Sequence, residues 1–234
     1  MIKYNDIGLI KNHLFEVLVT TFITVKEKII SNTASMGIRL IEDEILVMSP
    51  YSYTTTYKNL KLNAFASINF VDNVYLYSLA SLKEPNSEIG LKEFPIEYYS
   101  YYEIINEREN DKVVFPYIKQ AWATSFCEVF EENIITKQNT LGELKLSEFK
   151  LKKHLLIQNR ESFKLFNRAE NLILEMLILA TRLKVAKERD DQKLFNRIFN
   201  KLMDHKQNIE RFTQNDNAIK SLELISKFVD KFFE

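Results

Sequence analysis

A chain of 234 residues with 32 basic and 32 acidic side chains carries no formal net charge, and it holds only 4 Gly, 4 Pro, 3 His and 1 Cys. At 46% hydrophobic and 27% charged it is a folding rather than a disordered sequence, long enough for one large domain or two small ones. The lone Cys127 excludes an internal disulfide and a multi-cysteine zinc site, and the zero sum gives no cause to expect a polyanion partner.

That sum joins two unlike halves. Residues 1–149 hold 14 Lys/Arg against 20 Asp/Glu, whereas 150–234 hold 18 against 12. Every Gly and Pro falls before residue 143, so the strongest helix breakers are missing from the remainder. These shifts divide the chain into a strand-rich domain at 1–157 and a helical segment at 158–234. Residues 1–12 lack the apolar core of a secretory signal. The most apolar stretch, 172–180, is about half a membrane span and is broken by Glu175. Cytoplasm is the default expectation.

Residues 15–25 are rich in β-branched and aromatic side chains and read as a strand. Further strands are expected at 35–40, 45–49, 66–70, 75–79, 121–130, 134–137 and within 149–157. The turns between them are too short for βαβ units, which predicts an antiparallel sheet or barrel. A short helix is expected over 57–65. Residues 83–118 show no period, contain three of the four prolines and include Tyr98, Tyr99, Tyr101 and Tyr102. They read as a long loop, either a lid or a solvated acidic segment.

Three helices follow. At ~100° per residue, Ala169, Ile173, Met176, Ala180 and Leu183 share one face of a helix over about 164–188. Leu194, Ile198, Leu202 and Ile209 mark a second, and Asn215 is placed to cap a third carrying Leu222, Ile225 and Val229. Arg168, Asn171, Glu175 and Arg182 fall on one narrow stripe of the first helix. On so apolar a helix they read as a paired polar stripe that docks it on the barrel or on a second subunit; a direct role for Arg168 or Arg182 at an anionic ligand and plain solvent exposure are the alternatives.

The chemistry begins by elimination. Four scattered glycines supply no Walker loop, no G-x-G-x-x-G fingerprint and no G-x-S-x-G elbow. His13, His154 and His205 stand far apart and form no metal-ligand pair, and Cys127 reads as a small buried hydrophobe. The strand-rich half is more informative. Asn32-Thr-Ala-Ser-Met-Gly37 enters a strand with small and polar residues, which allow a planar ligand to approach the backbone; a turn before an edge strand has the same composition. Ser52-Tyr-Thr54-Thr55-Thr56 opens the short helix with hydroxyls, which suits a phosphate and equally suits a plain helix cap.

Together with Glu16-Val-Leu-Val-Thr-Thr21, Thr56-Tyr-Lys-Asn59-Leu60 and Ser67-Ile-Asn69, these segments resemble the FMN-binding split-barrel proteins. More narrowly, they resemble the archaeal family of unknown function DUF447. Phe166-Asn-Arg-Ala-Glu170, Glu175 and Ala180-Thr-Arg182 are similar to the first C-terminal helix of that family. Ser35 stands where the related flavin-reductase pattern has proline. The resemblance implies a fold that is mainly β with α, an FMN-binding split β-barrel followed by a C-terminal three-helix segment. It further implies a homodimer with the flavin near the interface. Asn32, Ala34, Met36 and Gly37 would line the flavin ring, Thr54, Thr55 and Thr56 would meet the phosphate, and Asn59 and Asn69 would support the phosphate loop or touch the ribityl chain. The function expected is that of an FMN-binding flavoprotein, an oxidoreductase of unidentified substrate. The alternative is a non-catalytic interaction module with a basic helical face, and the interspersed acids of that face argue against nucleic acid. No catalytic residue and no metal ligand is nominated.

Overall fold

The computed structural model describes residues 2–84, 91–106, 111–139, 142–161, 168–212 and 216–233. They form two units, Met1–Val71 with Pro95–Ser162 and Asp72–Phe94 with Phe163–Glu234. The first unit contains strands β1 (Leu14–Val25), β2 (Lys28–Glu42) and β3 (Ile45–Met48), helix α1 (Thr55–Asn63) and strand β4 (Phe65–Phe70). After these come β5 (Tyr99–Asn106), β6 (Asp111–Ile118), β7 (Ala123–Asn139) and β8 (Gly142–Gln158). Six strands close into an antiparallel barrel in the order β1-β2-β3-β8-β7-β4. The expected barrel is therefore present.

Its interior follows the period-2 alternation of each strand. Val17 and Val19, Ile38 and Leu40, Leu46 and Met48, and Ala66 and Ile68 all turn inward. The N-terminal segment adds Tyr4, whose ring is fully buried and whose hydroxyl lies 2.6 Å from Ser125 Oγ. Burial pushes the Tyr4 phenol well above its usual range, so it stays a neutral hydrogen-bonding group. The Lys153 ammonium sits 5.4 Å from the centre of the same ring. It reaches the Ile2 carbonyl at 3.3 Å and Glu44 at 3.4 Å, so its buried charge is compensated.

Two expectations are corrected in this unit. The stretch 83–118, read as a loop, contains the hairpin β5–β6, in which Tyr99 pairs with Ile118 and Tyr101 with Pro116. The hairpin lies on the outer face of the barrel, where Phe115 joins Phe22 and Phe126 in a separate apolar cluster and Tyr102 stacks 5.0 Å from Phe126. The strands expected at 121–130 and 134–137 are one strand, β7, which with β8 runs past the barrel as a two-stranded ribbon. The predicted short helix begins two residues earlier, at Thr55.

The second unit holds α2 (Val74–Ser81), α3 (Arg168–Glu188), α4 (Gln192–Phe212) and α5 (Asp216–Asp230), with α3 packed against the other three. The strand expected at 75–79 is helix α2. Asn73 caps it by accepting the Tyr75 N–H at 3.0 Å, and the apolar run is buried nearly all round rather than on alternate residues. The apolar faces predicted for the three later helices are the buried ones, among them Ile173, Met176, Leu183, Leu194, Leu202, Leu222 and Ile225. The polar stripe is not a buried one within this chain. Asn171, Glu175 and Arg182 are exposed, Glu170 is the buried acid of that turn, and the Arg168 side chain and Asn215 lie outside the described residues. No described helix is long and apolar enough to cross a membrane.

Candidate functional site

The site grows from an asymmetry in β2. Along Lys28–Arg39 the strand pairs with β1, but on its other side β3 pairs only from Ile38 onward. The segment containing Asn32, Ala34, Met36 and Gly37 therefore has a strand partner on one edge only. In an antiparallel strand alternate residues direct their N–H and C=O toward each edge, so this segment offers main-chain donors and acceptors to a ligand. At ~3.3 Å per residue it is roughly 16 Å long from Asn32 to Gly37. The side chains alternate. Met36 turns into the barrel and packs on the core, Ala34 lies opposite Val19, and Gly37 faces outward opposite Glu16. A Cβ on Gly37 would lie 2.8 Å from Leu14 Cδ1, so a side chain there would have to displace Leu14.

Helix α1 is fastened to the start of this segment. Asn32 Nδ2 donates to Thr56 Oγ1 at 3.3 Å, and Asn59 Nδ2 donates to Thr21 Oγ1 at 3.2 Å. Thr21 and Asn32 are themselves partners in the β1–β2 ladder, so the four side chains form one cluster spanning three elements. Thr54 is the N-cap. Its hydroxyl accepts the Tyr57 N–H at 3.3 Å and donates to the Tyr51 carbonyl at 2.7 Å. The first intrahelical bond runs from Lys58 N–H to Thr54 C=O, which leaves the N–H groups of Thr55 and Thr56 ahead of it at the positive end of the helix. Thr55 is exposed and Thr56 buried. The hydroxyl of Thr54 is thus committed to the cap, and the anion-binding capacity of this turn resides in the main chain and hydroxyls of the next two residues. Ser31 Oγ, adjacent to Asn32, is buried with no hydrogen-bond partner among the described residues.

Asn69 occupies a different place. Its Nδ2 lies 2.9 Å from Leu18 O, 3.1 Å from Thr20 Oγ1 and 3.0 Å from Ser67 O, while its Oδ1 accepts the Ile118 N–H at 2.8 Å. Both ends of this fully buried amide are used in holding the β5–β6 hairpin on the barrel. Thr20 bonds Thr33 at 2.8 Å, and Thr33 bonds the Tyr99 hydroxyl at 2.8 Å. A continuous, largely buried polar network therefore ties both strands of the hairpin, at the Tyr99–Ile118 pair, to the back of the β2 segment. The sequence signal for it was Thr20, a hydroxyl inside a mostly apolar strand. Thr33 and Tyr99 gave no signal of their own.

Other candidate chemistry is sparse. Cys127 is fully buried, and burial raises its thiol above the ordinary range, so it is no nucleophile at neutral pH. Among the described residues no three His, Cys, Asp or Glu converge as metal ligands.

The closed barrel with an open strand segment beside a hydroxyl-rich helix start defines a split-barrel protein with a helical unit. Residues 15–154 match the N-terminal domain of a protein family of unknown function, DUF447, and the chain belongs to that family. An FMN-bound DUF447 protein from Methanosarcina mazei is similar in structure, with a TM-score of 0.70 at 18% identity over 96% of this chain and 98% of that one. The flavin reductase HpaC complexed with NADP+ gives a TM-score of 0.43 at 16% identity over 65% of this chain and 83% of that one. Flavoredoxin from Methanosarcina acetivorans gives 0.40 at 17% over 67% and 76%. No curated protein matches the sequence.

Proposed function

We propose that this chain binds FMN along the open edge of β2 and acts as a flavin-dependent oxidoreductase. The observation that carries the reading is the continuity of two complementary surfaces. The length of β2 that β3 does not cover includes Asn32, the residue that bonds the first turn of α1. One surface suits the polar rim of a flat heterocycle and the other suits a phosphate. In this reading the main chain of the alternate residues Asn32, Ala34 and Met36 holds the ring, and Gly37 lines it without a side chain. The N–H groups of Thr55 and Thr56 and their hydroxyls hold the phosphate. Thr54 keeps the turn in shape, Asn59 and Thr21 fix the helix on the barrel, and Asn69 is a positioning residue for the hairpin behind the site. When bound, the flavin supplies the electron chemistry, and the protein supplies position and hydrogen bonds. Support for a homodimer comes from the exposed apolar residues near the same strands, Leu14, Val25 and Ile30, which a second copy would cover.

The phosphate assignment is tested by titrating flavin-free protein with FMN and with riboflavin. Binding of FMN at least tenfold tighter than riboflavin, lost in Thr56→Val, is the expected result; ~1.4 kcal/mol corresponds to that factor. Equal affinity for the two flavins would remove α1 from the site.

A further inference from the structure

The helical unit contains a cavity of about 410 Å³ that the flavin reading does not use. Helix α3 packs against both α4 and α5, and the cavity is the gap between those two, with Met176 of α3 contributing to its lining. Its walls are apolar, Leu202 and Met203 from α4 and Ile225 and Val229 from α5. Phenylalanines lie at one end, where Phe233 sits 4.9 Å from Phe199 and 5.7 Å from Phe195. Pairing Phe199 with the residues after α5 sets the two helices antiparallel. On α4 Lys206 therefore lies about one turn beyond Leu202 and Met203, away from Phe199, and on α5 Ser226 lies about one turn from Val229, beside Ile225, toward that same end.

The gap has the volume of roughly fourteen waters at ~30 Å³ each, and its walls give water few partners. It is therefore suited to an apolar occupant of the size that ligand sites accept, ~300–1,000 Å³. Lys206 is half-buried, and its ammonium has no ion pair among the described residues. Asp230 lies on the phenylalanine side, one turn beyond Ser226. A cation at one end and a carboxylate at the other favour one orientation of a polar-headed ligand.

We propose that this gap is a binding site for one medium-chain fatty-acid-like anion, its carboxylate held by the Lys206 ammonium and the Ser226 hydroxyl. The alkyl chain runs over Met176 and Ile225 toward the phenylalanines. Asp230 opposes the reversed orientation. The site is independent of the flavin reading, since none of its residues belongs to the barrel unit.

The test is isothermal titration of the full-length protein with dodecanoate below its micellar concentration, with dodecanol and dodecyltrimethylammonium as comparisons. One dodecanoate per chain is expected. Lys206→Gln weakens it roughly tenfold, the scale of a charge-assisted hydrogen bond, and leaves dodecanol unchanged. Met203→Trp fills the gap and abolishes both, with circular dichroism melts establishing that the variant is folded; Ser226→Phe serves the same purpose if it is not. Equal binding of dodecyltrimethylammonium, or undiminished dodecanoate binding by the folded gap-filled variant, overturns the proposal. So does a wild-type protein that binds no dodecanoate and self-associates through this face. Flavin absorbance takes no part in the readout, so failure here is distinguishable from failure of the flavin reading.

Discussion

Replacing Asn69 with alanine removes the tie between the barrel and the β5–β6 hairpin, and the structure sets the scale of the loss. The amide is fully buried and satisfies the Ile118 N–H at 2.8 Å while donating to Leu18 O, Ser67 O and Thr20 Oγ1. Truncation leaves the Ile118 N–H without its partner in a dry layer, at ~1–3 kcal/mol, and forfeits the bonds that the two amide hydrogens share among those three acceptors, at ~0.5–1.5 kcal/mol per hydrogen. The total expected is about 3 kcal/mol. Trp122, the single tryptophan, belongs to the barrel unit and packs 5.6 Å from Phe70, so its fluorescence in urea follows that unit. With a slope near ~2 kcal/mol/M the midpoint falls by about 1.5 M. Asn69→Asp retains the acceptor for Ile118 but aims a buried carboxylate at two carbonyls. It is expected to be at least as destabilising at neutral pH and to recover partly on acidification. Amide exchange over 99–118 should quicken in both variants. A midpoint shift below about 0.25 M for Asn69→Ala would refute the network as the fastening of the hairpin, because it would mean that the orphaned groups find other partners at no cost.

Three further outcomes follow from the same structure. Gly37→Ala places its Cβ 2.8 Å from Leu14 Cδ1, but Leu14 is 55% exposed and free to swing aside. The melt should therefore change by less than ~1 kcal/mol while FMN affinity drops, and a large stability loss without an affinity change would make the glycine purely structural. Burial alone would raise the Glu84 carboxyl, yet hydrogen bonds from Lys231 and Lys184 outweigh it and hold the group below its ordinary value. Its folded pKa being the lower one, its stabilisation is full above the unfolded value near ~4.3 and is lost as pH falls through the folded pKa, a slope that Glu84→Gln should flatten in acid titrations. Cys127 should resist a thiol-specific disulfide reagent in the native protein and react only at the rate of barrel opening, so rapid stoichiometric labelling would contradict its burial.

Much of the fold was legible because it rests on local pattern. Val17, Val19, Ile38 and Leu40 alternate as a half-buried strand must, and the α4 positions Leu194, Ile198 and Leu202 recur at helical spacing. The failures are of two physical kinds. Val74–Ser81 is apolar nearly throughout, and periodicity cannot separate a short buried helix from a buried strand; the N-cap Asn73 was the usable signal. Between β5 and β6 the sequence has neither Gly nor Pro, and a proline, Pro116, stands inside β6, which local rules read against a strand. The site divided in the same way. The small-residue strand and the threonine-rich helix start were visible in Asn32–Gly37 and Thr54, Thr55 and Thr56. The open edge was not, because it depends on where β3 stops pairing with β2, and neither was the reach of Tyr99 to Thr33 across 66 residues of chain.

Stoichiometric uptake of FMN by flavin-free protein, followed through the shift and quenching of flavin absorbance and fluorescence, tests the central assignment most directly. The account predicts one FMN per chain, with the bound flavin lost in a folded Thr55→Pro, Thr56→Val double variant, which removes the Thr55 N–H and both hydroxyls from the first turn of α1 together with the Asn32–Thr56 bond. A protein that takes up no FMN at saturating concentration while its barrel is intact by Trp122 fluorescence would contradict it.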